Sequence, residues 1–152
     1  MPGLEDLYRE IILDHYRTPR NRGELAPPAV RAEGHNPLCG DEIQVYLDVQ
    51  DGVVRDIKVG GQGCSISQSS ASMMTQAVKG KRLEEVRALV RRFKGMMSVD
   101  DAESDADDAA VAAVQLGDLE ALQGVVKFPV RIKCATLAWN TLLQALSELP
   151  TA

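Results

Sequence analysis

Between Ile43 and Val59 the chain alternates. Ile43, Val45, Leu47 and Val49 are interleaved with Gln44, Tyr46, Asp48 and Gln50; after Gln50-Asp51-Gly52, Val53, Arg55, Ile57 and Val59 share one side while Val54, Asp56 and Lys58 take the other. Period two predicts strands with one buried face, and the Asp-Gly pair predicts a hairpin turn between them. Elsewhere the period is helical. Leu4, Leu7, Tyr8, Ile11, Ile12 and His15 predict an amphipathic helix over residues 3 to 17, stopped by Pro19 and the basic loop RTPRNRG. Ile66, Met73, Ala77 and Val78, with Met74 beside them, predict a helix over 66 to 79 with Ser65 or Ser67 as its N-cap. Leu83, Val86, Leu89, Val90 and Phe93 predict another over 82 to 94, LGDLEAL a short one, and the stretch from Val130 to Leu149 the last. Residues 24 to 40 contain Pro27, Pro28 and Pro37 and predict a loop, with at most a short strand near Ala29 to Ala32. His15 and His35 read as ordinary structural histidines. Strands followed by helices define an α+β fold, a small antiparallel sheet with helices packed on one face.

With 152 residues the chain predicts a single domain, able to bury roughly 70% of the surface its unfolded form exposes, without needing disulfides. No window approaches the roughly 18 uncharged apolar residues of a membrane span. MPGLEDLYRE has neither the basic start nor the apolar run of a signal peptide, so the expectation is a cytoplasmic chain with no membrane partner. The net charge of −5 is local: Asp100, Asp101, Glu103, Asp105, Asp107 and Asp108 lie together, and with these six set aside the rest carries +1. The acidic run reads as a solvated, mobile segment ahead of the alternative of a specific docking surface. Aromatics at 4% leave little for bases to stack on, and no nucleic-acid partner is expected.

Three cysteines remain, an odd number that a reducing compartment keeps as thiols available for metal or sulfur chemistry. Cys64 follows the glycine cluster GGQG, where three residues without a Cβ imply a tight turn or a close approach of the backbone. At the start of the helix that follows, unsatisfied N–H groups and the positive end of the dipole favour its thiolate. A small buried cysteine at a strand-to-helix turn fits the same stretch. A phosphate loop does not, because GxxxxGK[ST] and GxGxxG both fail. Cys39 lies before the first long strand and Cys134 in the first turns of the last helix. Antiparallel pairing brings Cys39 near Cys64, and Asp41, two residues on in extended backbone, faces the same way as Cys39. Cys39, Asp41, Cys64 and Cys134 would complete a tetrahedral zinc site. The spacing alone matches no local zinc template, and three ordinary buried cysteines fit it equally; glycine and helix-start neighbours, and the cations Lys127, Arg131 and Lys133 around the third cysteine, favour the metal.

NPLCGDEIQVYL, GGQGCSISQSSASMM and LQGVVKFPVRIKCATLAWNTL, in this order and together with LYREIILDHYRTPRNRG, resemble the iron-sulfur cluster assembly proteins of the U type, and among these the SufU branch. The resemblance covers nearly the whole chain. It implies a three-stranded antiparallel sheet against a group of helices, zinc held by Cys39, Asp41, Cys64 and Cys134, and a zinc-dependent sulfurtransferase. This would take persulfide sulfur from a SufS-type cysteine desulfurase and pass it to downstream cluster assembly proteins. The pyridoxal phosphate would belong to the desulfurase; this chain has no motif for it. By the same resemblance a desulfurase histidine replaces one cysteine on the zinc. Cys39, in the Pro- and Gly-containing loop PLCGD, is the expected acceptor of sulfur, with Arg131 supporting docking or the charge developing on sulfur. IscU-type scaffolds, by contrast, carry a histidine immediately before the third cysteine, where this chain has Lys133, and connect the second and third cysteines by a shorter segment, so the resemblance makes the acidic stretch at about 95–120 an insertion in a single domain spanning 1–152. A scaffold holding a transient iron-sulfur cluster is therefore the second implication, and a zinc-stabilised interaction module without chemistry of its own the third.

Overall fold

The computed structural model describes residues 4–37, 40–98, 111 and 114–149. In chain order it contains α1 (Leu4–Arg17), β1 (Val30–Asn36), β2 (Asp41–Gln50), β3 (Val53–Gln62), α2 (Ser65–Val78), α3 (Leu83–Met96), a 3-10 helix (Gly117–Lys127) and α4 (Pro129–Ser147). The strands form one antiparallel sheet in the order β1-β2-β3. Cys39 and the acidic run from Asp100 to Asp108 lie outside the described residues. No helix among the described residues is long and apolar enough to cross a membrane.

The β2–β3 hairpin turns on Asp51 (φ 55°) and Gly52 (φ 74°), the two positive φ values of a type I′ turn. Ile43, Val45 and Leu47 are at most 3% exposed, as alternation predicts for β2. On β3 the alternation breaks. Asp48 faces Asp56 but Val49 faces Val54, so Arg55 is an extra residue, and this bulge reverses the parity of the strand's start. Val54 is fully buried and Val53 only half-buried, the opposite of the strict period-two assignment. The short strand anticipated near Ala29 to Ala32 is the seven-residue β1, whose backbone pairs from Val30 opposite Leu47 to Asn36 opposite Asp41. Its pairing comes from the edge of β2 rather than from its own apolar content.

α2 is buried on nearly every side, hydroxyls included, which explains why its apolar stripe is incomplete in the sequence. Each buried hydroxyl has work to do. Ser70 Oγ donates to the Ala135 carbonyl (2.6 Å) and accepts from Trp139 Nε1 (3.0 Å), tying α2 to α4. Trp139 in turn stacks on Phe93 of α3, with ring centroids 4.3 Å apart. The short helix anticipated near LGDLEAL is present as an 11-residue 3-10 helix. Its buried Leu119, Leu122 and Val125 recur every third residue, which matches the three residues per turn of that helix. α4 begins with Pro129, whose missing N–H costs nothing at a first turn.

Ser72 Oγ accepts from the Arg20 backbone N–H (2.9 Å) and lies 2.8 Å from His15 Nδ1, locking α1 and the loop after it onto α2. His15 is 1% exposed, and its other nitrogen lies 3.8 Å from the exposed carboxylate of Asp118. Burial, helped by the nearby Arg20 guanidinium, holds the His15 pKa below its ordinary 6.5, against weaker opposing effects of Asp118 and Asp14. Below about pH 6.5 the unfolded chain therefore takes up a proton that the folded chain resists, and stability falls as pH falls through that window. We expect unfolding free energy to decline between pH 6.5 and 5.5 in wild type and less steeply in His15→Gln; parallel slopes in denaturant titrations would remove His15 as the cause.

Candidate metal centre

Asp41 opens β2, Cys64 immediately precedes α2 and Cys134 is the sixth residue of α4. Pairing of Glu42 with Gln62 sets the start of β2 beside the end of β3, and the chain then turns into α2 at Cys64. α4 packs across β1 and β2 and delivers Cys134 to the same end of the sheet. A carboxylate oxygen of Asp41 and the sulfurs of Cys64 and Cys134 all lie within 4.8 Å of one another. Asp41 and Cys134 are fully buried and Cys64 is half-buried.

The local geometry explains GGQGC. Cys64 is itself the N-cap of α2, in place of the serines anticipated for that role: its Sγ accepts the Ser67 N–H (3.5 Å), and its own N–H donates to Asp41 Oδ1 (2.9 Å). The second carboxylate oxygen of Asp41 lies 3.9 Å from Cys64 Sγ. Gly63 makes this approach possible, since a Cβ there would stand 2.6 Å from Ser67 Oγ and closer still to Asp41 Oδ1. Gly61, at φ +113°, is held against the backbone of Glu42, where a Cβ would come within 2.8 Å of the carbonyl carbon. The turn is also braced from outside. Arg22 donates to the Gly61 carbonyl and to Gln68 Oε1 (3.0 Å), spanning the two sides of Cys64, while its backbone bridges to Val59.

The residues fit a metal ion. Asp41 is fully buried and accepts the Cys64 N–H, but among the described residues no cation forms an ion pair with it, so an ion between it and the two sulfurs would balance its charge. Thiolates and one carboxylate are a donor set that zinc accepts, at about 2.3 Å and 2.0 to 2.2 Å respectively. Arg131, the third residue of α4, is exposed, as is Lys133. Arg131 lines, with Tyr8, Ile12, Lys127 and the exposed ring of Phe128, a groove of about 810 Å³ that reaches Cys64. The structure thus brings three of the four anticipated ligands together and sets Arg131 at the groove wall; Cys39 is outside the described residues. Asn36 was not legible as part of the site. Its amide Nδ2 stands 3.8 Å from Cys134 Sγ, and only its proximity to Cys39 and Asp41 in the chain hinted at that.

A small antiparallel sheet whose end carries an Asp–Cys–Cys cluster, delivered in part by the last helix, defines an α+β protein with a candidate metal centre of carboxylate and sulfur donors. The chain belongs to the family described as NifU-like N terminal domain, whose pattern matches residues 7–135. It is 46% identical over 146 residues to the zinc-dependent sulfurtransferase SufU of Bacillus subtilis, covering 96% of this chain and 93% of that one. It is 38% identical over 143 residues to the iron-sulfur cluster assembly scaffold protein IscU of Thermotoga maritima, covering 94% of each. Among solved structures, a protein of Fervidobacterium islandicum named as a cluster assembly scaffold for the SUF system superposes with a TM-score of 0.77 at 30% identity, over 95% of this chain and 99% of that one.

Proposed function

We propose that this chain is a zinc-dependent sulfur acceptor and carrier. It takes persulfide sulfur from a SufS-type cysteine desulfurase in the cytoplasm and passes it to downstream cluster assembly proteins. The observation that carries this reading is the convergence of Asp41, Cys64 and Cys134 at one end of the sheet, beside a groove open to a partner. These three residues, with Cys39 as the fourth, would hold the metal. When bound, zinc keeps its cysteine ligands as thiolates and restrains them as nucleophiles. The chain's own residues then divide the work. Asp41 and Cys134 are fully buried and serve as anchors, out of reach of a partner. Cys39 is the acceptor: its thiolate attacks the outer sulfur of the desulfurase persulfide, the new S–S bond forms as the old one breaks, and the desulfurase cysteine leaves as thiolate. Arg131, on the groove wall, offers a cation to the docking partner or to the anionic sulfur.

The scaffold reading has support in the name of the Thermotoga relative. Against it stands Lys133, exposed on α4 immediately before Cys134, where an imidazole would serve as an additional ligand and an ammonium cannot. Two measurements test the choice. Protein purified anaerobically without chelator is expected to contain about one zinc and no visible absorption bands, whereas a brown protein with iron and sulfide would favour the scaffold. After reaction with desulfurase and cysteine without reductant, mass spectrometry is expected to place one added sulfur on the peptide containing Cys39. Cys39→Ser is expected to abolish that transfer and the stimulation of desulfurase turnover, including in preparations that retain zinc. Persulfide found only on Cys64 or Cys134 would sink the acceptor assignment.

A further inference from the structure

We propose that Asn36 is a positioning residue of the metal centre: its side-chain amide donates to the Cys134 sulfur, fixing that sulfur as a permanent ligand rather than a carrier of sulfur. The inference rests on the metal site proposed above and deepens it. Asn36 is the last residue of β1, pairs across the strands with Asp41, and is 6% exposed. The register that brings Asp41 into the site therefore brings Asn36 with it. Its Nδ2 stands 3.8 Å from Cys134 Sγ, within the range of an N–H···S bond, and Cys134 itself is fully buried.

The chemistry follows from the donor. An N–H directed at a thiolate withdraws charge from sulfur, which lowers its basicity and nucleophilicity while holding one rotamer. Cys64 receives its own donor, the Ser67 backbone N–H, at 3.5 Å. The two donors differ in kind. The one on Cys64 is a consequence of capping α2, and any residue at position 67 except proline would supply it. The one on Cys134 comes from a side chain on another element, 98 residues away in sequence, and can be removed without touching the helix that carries the cysteine. A cysteine that is buried, helix-borne and charge-depleted by an amide suits the role of anchor. Sulfur transfer is thereby directed to the remaining thiolates. The bond would be present with or without a partner, so it biases which cysteine reacts before any encounter.

Outer-sphere hydrogen-bond partners of metal ligands commonly change metal affinity by about 10- to 100-fold when removed. Asn36→Ala, and the similarly shaped Asn36→Asp, which replaces the amide by an acceptor, are therefore expected to lose zinc to a competing chromogenic chelator about ten-fold faster or more than wild type. The decisive readout is spectroscopic. In the cobalt-substituted full chain, loss of the N–H donor raises the energy of the sulfur lone pairs, so the sulfur-to-cobalt charge-transfer band should move to longer wavelength in both variants. Unchanged zinc release and an unmoved band would overturn the proposal. Faster release with an unmoved band would overturn it too, since that pattern marks a packing defect and not a bond to sulfur. A wild-type chain that takes up neither zinc nor cobalt would instead refute the metal site on which the proposal rests.

Discussion

Replacing Cys134 by alanine is expected to abolish stable zinc binding and to lower the melting temperature by about 10 °C in the presence of zinc. The side chain is fully buried where α4 meets the start of β2, and with Asp41 and Cys64, from segments far apart in sequence, it forms a cluster able to hold a metal ion. An ion that joins such segments contributes its binding free energy to folding. At free zinc a thousandfold above the dissociation constant the linkage is worth about 4 kcal/mol. For a chain of this size each kcal/mol shifts the melting temperature by about 2 to 4 °C. The void left by one sulfur is a smaller effect, because Cys134 lies outside the hydrophobic cluster that holds Trp139, Phe93 and Leu142. The chelator response separates the two contributions. Wild type should fall towards the variant when zinc is stripped, and Cys134→Ala should not respond; equal chelator shifts in both proteins would show that Cys134 is not a ligand.

The same two features, distance in sequence and burial, explain which parts of this protein can be read without a structure. α1, α3 and the β2–β3 hairpin follow from periodicity, because each presents one apolar face and one wet one. β1 does not: VRAEGHN buries only Ala32 and Asn36, and its pairing is dictated by the backbone of β2. Parity at Val53 and Val54 fails because a bulge at Arg55 leaves no compositional mark. The 3-10 helix hides because a period of three over a few residues is easily taken for 3.6. In the centre, Asp41, Cys64 and Cys134 are legible only in combination: each sits at an element boundary and antiparallel pairing sets two of those boundaries side by side, whereas the spacing of the cysteines alone does not single them out. Asn36 is not, since an amide acquires its role only from what lies across the strand. The serines of α2 interrupt its apolar stripe in the sequence, yet Ser70 and Ser72 are fully buried and bonded to α4, α1 and the loop after α1.

Gly63→Ala is expected to weaken metal binding by about 100-fold while leaving the remainder of the fold in place, a large effect for one methyl group. Gly63 differs from its neighbour in the reason it lacks a side chain. Gly61 needs both its positive φ and its closeness to the Glu42 carbonyl, so Gly61→Ala would disrupt the β2–β3 ladder itself. Gly63 needs only space, and the space is taken by Asp41 and Ser67. The Ser67 hydroxyl can rotate away, at the cost of its 3.1 Å bond to the Cys64 carbonyl. Asp41 is more confined. Its Oδ1 is held by the Cys64 N–H at 2.9 Å, and its backbone is paired with Asn36. A methyl group closer than 2.6 Å to that oxygen must displace the carboxylate, and displacing it removes one ligand and the bond that sets the Cys64 turn. Overpacking of this kind costs about 1 to 3 kcal/mol of stability. The loss of a ligand, at about 1.4 kcal/mol for each factor of ten, is then the larger part of the change in zinc affinity. Titration against a chelator, with thermal unfolding of the metal-free chains alongside, measures both. Full zinc affinity in Gly63→Ala would mean that Asp41 is free to leave its position without consequence, and the carboxylate would have to be withdrawn from the ligand set.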